Sequence, residues 1–188
     1  RSFKKLKNFQ IFSSKKFSYF NWTWLRVLPY KKNNWKRKLN IISFCIHIFI
    51  HLIFLGLINI FKGEKKLIIL ASSPQLPAAY VCLLIAKLLK KDFVLEVRDL
   101  WPQILIEQGG LKTNSITYKI LSWMEKEIYH GASRIVVLSK GMKNIIKKKG
   151  GDKILWIPNG ADLKNFKFSE LPKENFNGIF NEKRTFNI

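Results

Sequence analysis

The residues best suited to chemistry stand directly after short apolar runs. Arg98 and Asp99 follow Phe93 to Val97. A carboxylate in that place can accept a proton from an acceptor hydroxyl, and a guanidinium beside it can bind phosphate. The same residues equally suit a structural ion pair between Asp99 and an arginine. Trp101 offers a flat face for a sugar or a lipid, or plain packing beside Pro102. Ser72 and Ser73 follow the run Leu67 to Ala71, and Ser139 follows Arg134 to Leu138. Ser73 and Ser139 also precede helical patterns, whose free N–H groups and positive dipole end favour an anion such as a phosphate. Asn159-Gly160 is a turn signal first and a ligand contact second.

Other constellations carry less. His47 and His51 are four apart, but the intervening Ile-Phe-Ile lacks the glutamate of a zinc-protease helix, so packing or an interface is the expected role. Cys45 and Cys82 sit far apart in apolar runs, which argues against a disulfide framework or a thiolate zinc site. Gly109-Gly110 and Gly150-Gly151 are isolated pairs rather than a phosphate-cradling loop. No metal and no bound cofactor are expected.

Positioning such residues requires a sheet. From Leu67 the chain alternates apolar runs with helical patterns: a strand to Ala71, a helix from about Gln75 to Lys90, and a strand from Phe93 to Val97. Ser73 reads as an N-cap with Pro74 at the first helical position. A helix over Ile116 to His130 puts Ile116, Ile120, Trp123, Met124 and Ile128 on one broad face and ends at Gly131. A strand from Arg134 to Leu138, a helix around Met142 to Lys149 and a strand from Ile154 to Ile157 complete the pattern. Right-handed crossovers between short buried strands predict a Rossmann-like α/β lobe, a parallel sheet with helices on both faces. Ligands of such sheets bind beyond the carboxyl ends of the strands, where Ser72-Ser73, Arg98-Asp99, Ser139 and Asn159-Gly160 would share one edge.

Residues 1–40 mix lysines with aromatics without a clean period and read as loops and short elements. Ile41 to Phe61 carries no formal charge and approaches the ~20 residues of a bilayer-spanning helix. His47, His51 and Asn59, with basic residues on both flanks, favour a buried or membrane-touching helix over a span. The formal charge of +22 arises from 34 basic and 12 acidic residues, and no acidic residue precedes Glu64. That front loading suits an anionic membrane surface. No nucleic-acid motif accompanies it, so no nucleic-acid partner is expected. The polar stretch 163–188 reads as a linker toward a further lobe. With Arg1 in place of Met, the chain is expected to be incomplete at both ends.

Taken together, Ala71-Ser72-Ser73-Pro74, Glu96-Val97-Arg98-Asp99-Leu100-Trp101-Pro102, Val137-Leu138-Ser139-Lys140-Gly141-Met142 and Ile157-Pro158-Asn159-Gly160-Ala161-Asp162 resemble the amino-terminal domain of family 4 glycosyltransferases. The likeness covers about Leu39 to Asp162 and is strongest to the branch serving bacterial capsule, O-antigen and exopolysaccharide assembly. It implies one lobe of a GT-B enzyme, holding the acceptor while a second lobe holds the nucleotide-sugar, with metal-independent and typically retaining chemistry. Arg98 and Asp99 stand where many relatives carry a histidine-containing motif facing the donor sugar. The family's opening glycine-bearing loop and its paired-glutamate motif have no counterpart here, so the chain alone is expected to be inactive. The resemblance therefore implies a nucleotide-sugar co-substrate, a lipid-linked or glycan acceptor, and a place at the inner face of the cell membrane. A non-catalytic membrane-surface binding protein is the competing reading.

Overall fold

A computed structural model of the chain describes residues 12–30, 35–63 and 67–160. It divides into two units, Arg1–Pro158 and Asn159–Ile188. The linker expected over 163–188 lies outside the described residues.

The front segment is more regular than its composition suggests. β1 (Phe12–Lys16) and β2 (Asn21–Leu25) form an antiparallel hairpin with Ser14 opposite Thr23, their hydroxyl oxygens 2.8 Å apart. The short elements expected here are thus two five-residue strands, paired as a hairpin. The pairing is cross-strand, so a search for period along one strand does not register it. The helix that follows, α1 (Trp35–Phe61), begins six residues before the uncharged run. Hydrogen bonds tie the two together: the Leu28 N–H donates to Ser43 Oγ at 3.1 Å, and Asn40 Nδ2 donates to the Leu28 carbonyl at 2.6 Å.

β3 (Ile68–Ser72), β4 (Asp92–Val97), β5 (Arg134–Val137) and β6 (Ile154–Trp156) make one parallel sheet in the order β3-β4-β5-β6. The protein is thus α/β with a Rossmann-like lobe, and each strand lies within about a residue of its expected place. The crossovers are α2 (Leu76–Leu88), then the short α3 (Gln103–Glu107) with α4 (Ile116–Gly131), then α5 (Lys140–Lys148). Burial alternates with the two-residue period of the strands. Ile69, Phe93, Leu95, Val97, Ile135 and Val137 are buried with Leu83, Ile128 and Ile146 of the crossover helices in one core. Ile68 and Leu70, on the other face of β3, are 62% and 64% exposed. Because strand order follows chain order, right-handed crossovers bring α2, α4 and α5 to the same side, so the expected helices on both faces are corrected to one covered face among the described residues. Their mutual contacts agree, since α2 packs on α4 and Lys149 reaches from the end of α5 to Glu125 on α4.

α4 turns only part of the expected face inward, with Ile128 buried and Met124 packed against the core. Leu121, Glu125, Ile128 and Tyr129 are buried, while Ile116, Ile120 and Trp123 are exposed. The apolar stripe is wide enough to straddle the boundary, and Trp123 instead stacks at a tilt on Tyr80 of α2, 5.2 Å between ring centres. Glu125 is the one carboxylate buried in this core among the described residues. Lys149 Nζ donates to its two oxygens at 2.9 and 2.8 Å, and Tyr129 Oη donates to Oε1 at 3.0 Å. Burial nevertheless pushes the Glu125 carboxyl above its ordinary range, against the lowering by Lys149 and Tyr129. Replacing Lys149 with methionine leaves that charge uncompensated. The expected loss is on the order of 2 kcal/mol, discounted because the lysine is partly exposed, and it shrinks as pH falls and Glu125 takes up a proton. Urea melts at pH 7 and pH 4.5 measure it, and equal losses at both would refute the account.

Gly150 stops α5 as its position suggests. Its φ of +91° is open to glycine, its N–H bonds the Lys147 carbonyl at 3.1 Å, and a Cβ there would collide with the His130 ring. Where α1 meets α2, Cys82 is a buried free thiol that burial and the neighbouring Cys45 push up to about 11. Iodoacetamide at pH 8 should therefore leave Cys82 unmodified in the folded protein while alkylating it in urea. Comparable rates in both would show that α1 does not cover α2.

Candidate functional site

The carboxyl ends of β3, β4 and β5 are adjacent, because Ser72 pairs with Glu96 and Val97 pairs with Val137 in the parallel register. Ser72-Ser73, Arg98-Asp99 and Ser139 are therefore brought to one rim, as expected. Asn159 and Gly160 are exposed and belong to the second unit, which begins just past β6.

Ser73 organises this rim. Its buried hydroxyl accepts hydrogen bonds from the backbone N–H of Arg98 at 2.9 Å and of Asp99 at 3.1 Å, and donates to the Asp99 carbonyl at 3.3 Å. Its own N–H extends the ladder to the Glu96 carbonyl at 2.9 Å. The expected N-cap role is thereby corrected: the cap of α2 is Gln75, which makes no side-chain cap bond, and Pro77 occupies the first turn. A serine before a proline carries the capping signature, yet its oxygen is fully engaged by the neighbouring strand's exit.

That engagement fixes the main chain of Arg98 and Asp99 and leaves their side chains unused. Arg98 is exposed and Asp99 half-buried, and neither forms an ion pair among the described residues. The structural ion pair is thus not found among the described residues. Trp101 is partly buried against the core, and its Nε1 has no hydrogen-bond partner. The Trp101–Pro102 peptide is cis. Ser72 Oγ is likewise shielded and unpartnered. Buried polar atoms are rarely left so, and a polar ligand group at the strand ends is one way to satisfy them. Ser139, in extended conformation at the start of α5, makes no cap bond and keeps its hydroxyl exposed. Next to it the Lys140 ammonium sits 4.5 Å from the centre of the Trp156 ring.

Two features of the site region escape a reading of the sequence. Glu96 lies opposite Ser72 on the strand face away from the crossover helices. Counting by twos from Val94 would have found this second carboxylate. A cleft of about 390 Å³ is lined by Glu125, Lys126, His130, Lys148 and Gly150. It lies at the carboxyl ends of α4 and α5, hence at the amino end of the sheet. It holds the Glu125–Lys149 pair, and the strand rim, where ligands of parallel sheets bind, is the candidate site. No cluster of three metal-binding side chains occurs among the described residues.

The chain is similar to the probable glycosyltransferase WbjE of Pseudomonas aeruginosa, at 37% identity over 71 residues. That stretch is 37% of this chain and 18% of the relative, so the chain spans a small part of the protein it matches. No protein-family model and no solved structure matches it.

Proposed function

We propose that this chain is the acceptor-side part of a glycosyltransferase that moves a sugar from a nucleotide-sugar to a lipid-linked or glycan acceptor in cell-surface polysaccharide synthesis. The observation that carries the reading is the Ser73 clamp, which holds Arg98 and Asp99 by their backbones at the strand rim with both side chains free. The partial identity to a probable glycosyltransferase supports it. In the proposed step the acceptor oxygen bonds to the anomeric carbon on the same face from which the donor phosphate oxygen departs, so that configuration is retained as that carbon–oxygen bond breaks. The electron pair leaves with the nucleoside diphosphate, and the acceptor proton passes to Asp99. Arg98 binds phosphate, Trp101 stacks on the acceptor, and Ser72 and Ser139 contact substrate. By the resemblance, the enzyme is a family 4, GT-B transferase, retaining and metal-independent, at the inner face of the membrane. The donor site belongs mostly to a second lobe, so the fragment alone is inactive.

The test is transfer of radiolabelled sugar by the complete gene product on native membranes. Label entering lipid or glycan supports the proposal. Its absence across the common nucleotide-sugars favours the second reading, a non-catalytic membrane-surface protein, for which the exposed apolar surface of α1 speaks.

A further inference from the structure

α1 is apolar around most of its circumference. Ile48, Leu52 and Ile53 pack on the core, and Gly56 approaches Leu89 so closely that a Cβ would collide with it. The outward side carries Ile42, Ile46, Phe49, Ile50, Leu57 and Ile60, all between 44% and 54% exposed. Only 11% of the most apolar window is buried, so this is not a core helix of the described lobe. The outward side does not end with α1. Leu84 and Leu88 of α2 are exposed beside it, and Ile120 and Trp123 of α4 continue through the Tyr80–Trp123 contact.

We infer that the outer surface of α1 and α2, with the β1–β2 hairpin, is a membrane-docking face that seats α1 in the plane of an anionic bilayer without crossing it. A crossing helix must be surrounded by lipid over ~20 residues, whereas here the half of α1 from Ile48 to Gly56 packs on the core and on α2. The occupant is identified by charge: every formally charged side chain before Glu64 is basic, including Lys36, Arg37 and Lys38 at one end of α1 and Lys62 at the other. Anionic headgroups attract such residues while apolar side chains enter the acyl boundary. The hairpin adds exposed Phe20 and Trp22, and Lys15 lies 5.1 Å from the centre of the Phe17 ring. Aromatics with lysines suit the headgroup level. This assignment rests on the membrane part of the proposed function and is independent of its chemistry.

The full chain is mixed with sealed vesicles of phosphatidylcholine, with or without phosphatidylglycerol, and separated by flotation. Binding is expected with the anionic vesicles, falling by about tenfold or more without them or in high salt. An Ile46→Asp, Ile50→Asp double variant, whose positions are exposed and whose fold is checked by circular dichroism, should lose about tenfold or more in binding. A membrane-impermeant amine reagent added outside the vesicles should label both Lys36 and Lys62. Protection of one end means a crossing helix, and that overturns the inference. So does equal binding to neutral vesicles, or a dimer broken by the double variant with no vesicle binding. In those cases transfer to a detergent-soluble acceptor by the complete protein still decides the enzymatic reading.

Discussion

If the proposed function holds, replacing Asp99 with asparagine in the complete gene product should lower sugar transfer by about 10²- to 10⁴-fold, the usual range for a lost general base. Thermal stability should be unchanged. The structure makes this separation sharp, because the fold uses only the Asp99 backbone: its N–H and carbonyl bond to Ser73, and its side chain pairs with nothing among the described residues. Rates measured over pH distinguish a base from a mere contact, since loss of a base removes the acidic limb of the profile. Full activity in the variant would remove Asp99 from the mechanism and leave the neighbouring carboxylate, Glu96, as the next to test. A fall in melting temperature with activity intact would mean that the side chain is structural after all.

The adjacent serines should behave oppositely on substitution. Ser73→Ala strips the acceptor from two backbone N–H groups at a buried position and is expected to cost about 2–3 kcal/mol. In a domain of this size that is a fall of roughly 5–10 °C in melting temperature. Activity should fall with it, since the Arg98–Asp99 exit loses its fixed geometry. Ser72→Ala removes a hydroxyl without a partner and should change stability by less than about 0.5 kcal/mol. A calorimetric pair of these variants reads the clamp directly. Equal effects at both positions would show that the rim is not organised by Ser73.

Legibility from sequence followed the locality of the signal. Strands and crossovers of the sheet were readable because each run of apolar residues and each helical period is contained within its own segment, as with Phe93 to Val97. What required partners distant in the chain was not readable. The hairpin depends on Ser14 facing Thr23, and the Glu125–Lys149 pair joins residues 24 apart. Even so, Glu125 sits between Leu121 and Ile128 on the same helical stripe, a placement that marks it as inward. Ser73 shows the opposite failure, in which a strong local pattern, serine before proline, was overridden by a neighbouring strand. Arg98, Asp99 and Ser139 were placed correctly at the rim because parallel topology alone dictates that edge. Their roles in chemistry come from residue type and position.

The strand order has a consequence for how the protein comes into being. Each strand pairs with the one made just before it, Leu70 with Val94, Val94 with Arg134 and Val136 with Leu155. On the ribosome, none of the described strands of this sheet need wait for a distant piece of chain or be inserted between two already joined. The sheet can grow in one direction as translation proceeds, each new crossover helix covering its strand before the next emerges. Until β6 arrives, the growing edge of β5 is the aggregation-prone surface, and its exposure lasts only about twenty residues of synthesis, a second or a few at ordinary elongation rates.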